Sequence, residues 1–158
     1  MSGAVQRVPP GQACISIRQP WAWAIIHAGK TIENRGVPWP WRERVGERIY
    51  LHAAKGCTFE EFHDGASWIK DAADVQPPAL STLPRGAIIG SARLVAVIPE
   101  GDERNLSPWT IGPWCLVLDE VRASSRPLPW QGRLGWFGGP PDLEAAIAAW
   151  VAVEGDDA

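Results

Sequence analysis

From Ala13 to Arg18 the chain alternates, with Ile15 and Ile17 set against Ser16 and Arg18. A period of two predicts a half-buried strand. Pro20 suits the first position of a helix, and Trp21, Ala24, Ile25 and Ala28 follow on one helical face. Gly29 suits a left-handed stop. Thr31 to Arg35 reads as a short extended segment, and residues 36–44 as a loop holding two prolines and two tryptophans. Residues 47–54 alternate again, Ile49 and Leu51 opposite Tyr50 and His52. Thr58-Phe59-Glu60-Glu61 has capping-box spacing and predicts a helix to about Ala73. Further strands are expected over 86–98 and 114–121, and a strand pair or bulged strand over 126–139, where Pro and Gly interrupt the pattern. A last helix over 141–153 puts Leu143, Ala146, Ile147, Trp150 and Val151 on one face. Strands and helices do not alternate regularly. The expected class is therefore α+β, a small, mostly antiparallel barrel or curled sheet with flanking helices. Residues 1–11 are expected to form a loose arm, 12–153 one domain, and 154–158 an acidic tail that frays.

Composition narrows the classes. The chain has 158 residues, 46% of them apolar and 21% charged, a globular balance that excludes disorder throughout. The longest apolar run, Trp21 to Ile26, is too short to span a bilayer, so no membrane partner is expected. Residues 1–12 lack the apolar centre of a secretory signal. Cys14, Cys57 and Cys115 are odd in number and far apart, which argues for reduced thiols in a cytoplasm. His52, Cys57 and His63 do not have the spacing of a familiar zinc site, and no metal or other cofactor is expected. The net charge of −3 conceals an asymmetry: residues 1–56 carry eight basic and three acidic side chains, and the remainder carries the acidic excess. An anionic partner is therefore expected at the N-terminal third.

The candidate chemistry lies there too. Arg18 ends a strand just before a helix N-terminus, where free N–H groups would favour an anion. Glu33 and Arg35 stand two apart in an extended segment and share a side, with Lys30 close by. Such packing perturbs protonation at functional sites, although a solvated ion-pair cluster has the same pattern. Trp39 and Trp41, beside Arg42 and Arg44, either stack on bases or clamp their loop. Trp23, off the Trp21 face, is a further cleft candidate. His52 ends a strand near Lys55 and is either a cleft residue or a structural histidine. Trp68 and Trp150, on helix faces, are expected in the core, and Ser91 and Arg93 on the sheet exterior.

Ser16-x-x-Gln19-Pro20-Trp21-Ala22 followed by Lys30-x-x-Glu33-x-Arg35 resembles the ASCH (activating signal cointegrator 1 homology) domain. The family's signature glycine is replaced by Ala28, with Gly29 one place later. Residues 47–55, 83–98 and 114–136 resemble the family's later strands. The resemblance implies a PUA-like β-barrel whose cleft binds RNA or a modified nucleoside or nucleotide. Arg18, Lys30 and Arg35 would hold phosphate or polar base edges, Gln19 would pair with a base, Glu33 would orient Lys30 or accept from an exocyclic amine, and Trp21 would buttress the helix. It also implies alternatives: a hydrolase on an RNA-derived substrate, either an N4-acetylcytidine amidohydrolase or a single-strand ribonuclease, or a protein-interaction domain. In a hydrolase Lys30 would be nucleophile or base and Glu33 the proton shuttle, with Glu100, Asp102 or Glu103 as the downstream acid. Glu33 stands where the amidohydrolases carry threonine, which favours the binding reading.

Overall fold

The computed structural model describes residues 7–157. Its elements run β1 (Ala13–Ile17), α1 (Trp21–His27), β2 (Ile32–Arg35), a 3-10 turn (Trp41–Arg44), β3 (Arg48–Ala53), α2 (Phe59–Ala73), a 3-10 turn (Leu80–Thr82), β4 (Ala87–Pro99), β5 (Trp114–Pro129), β6 (Phe137–Gly138) and α3 (Leu143–Asp156). The strands form one mixed sheet in the order β2-β5-β4-β3-β1-β6. Among the described residues only β1 and β3 pair in parallel, with Ser16 opposite His52.

The α+β class holds, but the expected closed barrel does not. β2 and β6 are free edges, and β6 is two residues long. Too little ladder remains to close the sheet, so a side chain spans the gap: the Arg35 guanidinium, from β2, donates to the Ser16 carbonyl on β1 at 2.8 Å. The strand expected over 114–121 runs on as β5 to Pro129, with irregular register against β4. The broken segment after it yields the loop 130–136 and β6.

Inward residues of the alternating strands (Ile15, Ile17, Ile49, Leu51, Leu94, Leu116 and Leu118) form the main core, into which α1 inserts Ala22 and Ile25. The opposite face, with Cys14, Tyr50, Ile88, Leu128 and Phe137, is covered by the five α3 residues expected from their spacing. Asp142 caps α3 by accepting from the Ala145 N–H at 3.0 Å. The helix continues through Glu154 to Asp156, into the segment expected to fray. The expected arm falls outside the described residues for 1–6; beyond them, the Val8 carbonyl accepts from Arg44.

The α2 capping box forms as read: Thr58 accepts from the Glu61 N–H, and the Glu61 carboxylate accepts from the Thr58 N–H. α2 crosses the start of α1 at Gly65, where a Cβ would sit 2.7 Å from the Pro20 ring. Trp68 is not in the core: it is partly exposed, and its indole donates to the Pro108 carbonyl at 3.1 Å. No helix among the described residues is long and apolar enough to cross a membrane.

Candidate functional site

The ends of β1 and β3, the β2 strand, the Arg85–Gly86 step and the loop 130–135 enclose a cleft of about 1040 Å³. Arg18, Trp21, Glu33, Arg35, Trp41 and His52 all line it. Six of the nine residues picked out by pattern and resemblance thus meet in one place.

Glu33 and Arg35 project to the same side of β2, as strand alternation requires. One Glu33 oxygen lies 3.2 Å from the Lys30 ammonium and the other 3.4 Å from the Arg35 guanidinium. Lys30 is 2% exposed and lies behind Glu33, outside the cleft lining. Its ammonium also donates to the Ile32 carbonyl and faces the Trp21 ring 5.5 Å away. Burial pushes the Lys30 pKa down, and Glu33 partly offsets this. Arg35 lies over the Trp41 ring at 4.6 Å, and Trp41 meets Trp136 edge-on at 5.1 Å. The Arg35 Nε is buried with no hydrogen-bond partner. A buried N–H left orphaned is uncommon.

His52 is fully buried between two partners. Its Nε2 lies 2.8 Å from the Trp130 carbonyl and its Nδ1 3.0 Å from the Ser16 hydroxyl. A carbonyl can only accept, so Nε2 carries the proton and Nδ1 accepts from Ser16. Burial lowers the His52 pKa, against a smaller raising effect of the Trp130 bond. Gly132 passes directly over the pair; a Cβ there would lie 2.7 Å from His52 Cε1 and 3.4 Å from Ser16 Oγ.

Other expected residues lie elsewhere. Gln19 is buried away from the cleft, donating to the Pro84 carbonyl and accepting from the Trp23 N–H, both at 2.9 Å. The start of α1 is not an open anion site: the Ala22, Trp23 and Ala24 N–H groups are taken by the Arg18 carbonyl, the Gln19 side chain and the Pro20 carbonyl. Trp39 is 61% exposed and outside the lining. Trp23 meets His27 in a tilted ring pair, centroids 5.5 Å apart, beside a second, smaller hollow. Glu100, Asp102 and Glu103 are also absent from the lining, and Asp102 is bound by Arg104, which holds its carboxyl down at about 2.

The cleft gains cations that pattern reading did not select. Lys55, Arg85 and Arg133 join Arg18 and Arg35 in its wall, and among the described residues Glu33 is the one acidic residue lining it. Arg18 is held by Glu61 of α2 through bonds of 2.6 and 2.7 Å. Arg133 lies in Gln131-Gly132-Arg133-Leu134-Gly135, where two glycines around a cation were the available signal. Leu134, 99% exposed, stands at the rim.

No family model matches the chain, and neither does any curated protein. Among solved structures it is similar to an ASCH protein from Zymomonas mobilis, with 18% identity over 90% of this chain and 95% of that one and a TM-score of 0.45. Two single-substitution variants of that protein align comparably. One has 16% identity over 90% and 98% of the two chains, with a TM-score of 0.47. The other has 17% identity over 92% and 99%, with a TM-score of 0.45.

Proposed function

We propose that the chain is an ASCH-domain protein that binds a nucleotide or the end of a single-stranded RNA in this cleft. The observation that carries the reading is the charge of the wall: five cationic side chains surround one carboxylate, and that carboxylate is already engaged by Lys30 and Arg35. A polyanion gains most from such a wall. Arg35 provides a guanidinium held over the Trp41 ring and anchored on the Ser16 carbonyl. Lys55, Arg85 and Arg133 provide exposed charges nearer solvent. Trp21, Trp41 and Trp130 give the cleft aromatic walls for a base. Lys30 acts through Glu33, which it holds in place, rather than on the ligand.

The test is a fluorescence-anisotropy titration of a labelled short single-stranded RNA at several salt concentrations. Affinity is expected to fall with salt with a log–log slope of about −2 to −3, the value for three to four phosphate contacts on a single strand. Affinity independent of salt contradicts the reading.

A further inference from the structure

Ser16 and His52 form a second polar arrangement in the cleft, apart from its charged side chains. The Ser16 hydroxyl, half-buried and lining the cleft, donates to His52 Nδ1 at 3.0 Å. The Trp130 carbonyl accepts from His52 Nε2 at 2.8 Å and so fixes the tautomer in which Nδ1 is a free base. Arg35 is anchored on the carbonyl of Ser16 itself, which sets a cation beside the hydroxyl. Gly132 packs its backbone against the pair, since any side chain there would run into His52 Cε1, while Ser16 still lines the cleft. Nucleophile, base, orienting group and nearby positive charge are the parts of a covalent acyl-transfer site.

We propose that Ser16 and His52 form a nucleophile–base pair that hydrolyses a carboxylic ester borne by an anionic, nucleotide-like molecule. The anionic part of this substrate class rests on the cleft reading above; the dyad itself rests on its own geometry. Ser16 Oγ attacks the acyl carbon while its proton passes to His52 Nδ1. The ester C–O bond breaks, and the imidazolium returns that proton to the departing alkoxide. Water then attacks the acyl-serine, gives a proton to Nδ1, and Ser16 recovers it as the free acid leaves. The net reaction is ester plus water to acid plus alcohol. An ester suits the site better than an amide. The orienting group is a neutral carbonyl and not a carboxylate, so the imidazolium is less stabilised, and an alkoxide leaves more readily than an amine. Burial keeps His52 neutral, as a base must be.

The experiment exposes the native protein to a fluorophosphonate probe and maps the adduct by peptide mass spectrometry. Modification of Ser16 is expected, together with its loss in His52→Gln. In parallel, release of acetate from 3′-O-acetyl-AMP is followed, with a fall of at least about 100-fold expected in Ser16→Ala. Ser16→Ala removes one hydroxyl, and its melting temperature checks that the fold persists. Absence of any Ser16 adduct, or acetate release unchanged in a folded Ser16→Ala protein, overturns the proposal and shows the pair to be a cross-strand tie. Titration of the same protein with AMP separates the two readings. Retained AMP binding without Ser16 reactivity contradicts only the dyad; Ser16 reactivity without AMP binding upholds the dyad and contradicts the anionic cleft.

Discussion

Two clusters of opposite charge in this molecule use the same side-chain types at nearly the same distances. In one, Lys30 and Arg35 flank Glu33 at 3.2 and 3.4 Å. In the other, across β3, β4 and β5, Arg48 and Arg93 flank Glu120 at 3.3 and 3.1 Å. The difference is solvent. The Lys30 and Glu33 side chains are 2% and 11% exposed, whereas those of Arg93 and Glu120 are each 50% exposed. Water screens the second cluster and solvates each member when a partner leaves, so it contributes little. The first has been stripped of water, and its members depend on one another. Its geometry is also tied to the fold, because Arg35 bridges β2 to β1 and Lys30 holds the Ile32 carbonyl. The shared ion-pair pattern therefore marks a site only where the backbone buries it.

The comparison can be broken most forcefully at the two carboxylates. Glu33→Gln leaves the buried Lys30 and the part-buried Arg35 with no counter-charge, and urea denaturation is expected to show a loss of about 3–5 kcal/mol. Glu120→Gln should shift stability by about 0.5 kcal/mol or less. Equal effects would show that burial does not separate the clusters. Lys30→Met takes one cation from a carboxylate that keeps Arg35, so a smaller loss of about 3 kcal/mol is expected, at the low end for breaking a buried pair.

A smaller effect sharpens the contrast through pH. The folded pKa of His52 lies below its unfolded value of about 6.5. Between the two the unfolded chain holds the proton that the folded chain lacks, so stability rises with pH across that window. Above 6.5 the contribution is complete, and it is lost progressively as pH falls towards the folded pKa. Chemical denaturation between pH 7.5 and 5 should show this decline, and a folded His52→Gln variant should show less of it. An identical pH dependence in both proteins would contradict the burial of a neutral His52.

Much of this architecture was legible in local pattern. The alternation of 13–17 and 48–53, the capping box at Thr58 and the apolar face of α3 all formed where the residues called for them, because each is decided within a few residues. Sheet closure was not legible. It depends on strand order and on the length of β6, which are set by pairing far along the chain. In the site, Glu33 and Arg35 followed from period two. The depth of Lys30 did not, since nothing in Lys30-Thr31-Ile32 reveals that β5 and α1 bury it. Gln19 shows the reverse: a polar residue beside a helix start met the backbone rather than a ligand. Trp39 and Trp41, two apart in one loop, separate into an exposed residue outside the cleft and the ring beneath Arg35. Arg85 and Arg133 escaped notice because they arrive on separate loops with no shared spacing.

The central claim, that the cleft and not total charge binds an anionic nucleic acid, is tested most directly by removing two arginines from each region. Anisotropy titrations of one short single-stranded RNA at fixed salt would compare Arg85→Ala/Arg133→Ala with Arg93→Ala/Arg122→Ala, two changes of identical net charge. The account predicts weakening of about 10-fold or more for the cleft pair, at about 1 kcal/mol for each charged contact, and less than about 2-fold for the exterior pair. Equal weakening by both pairs, or weakening by the exterior pair alone, would contradict it.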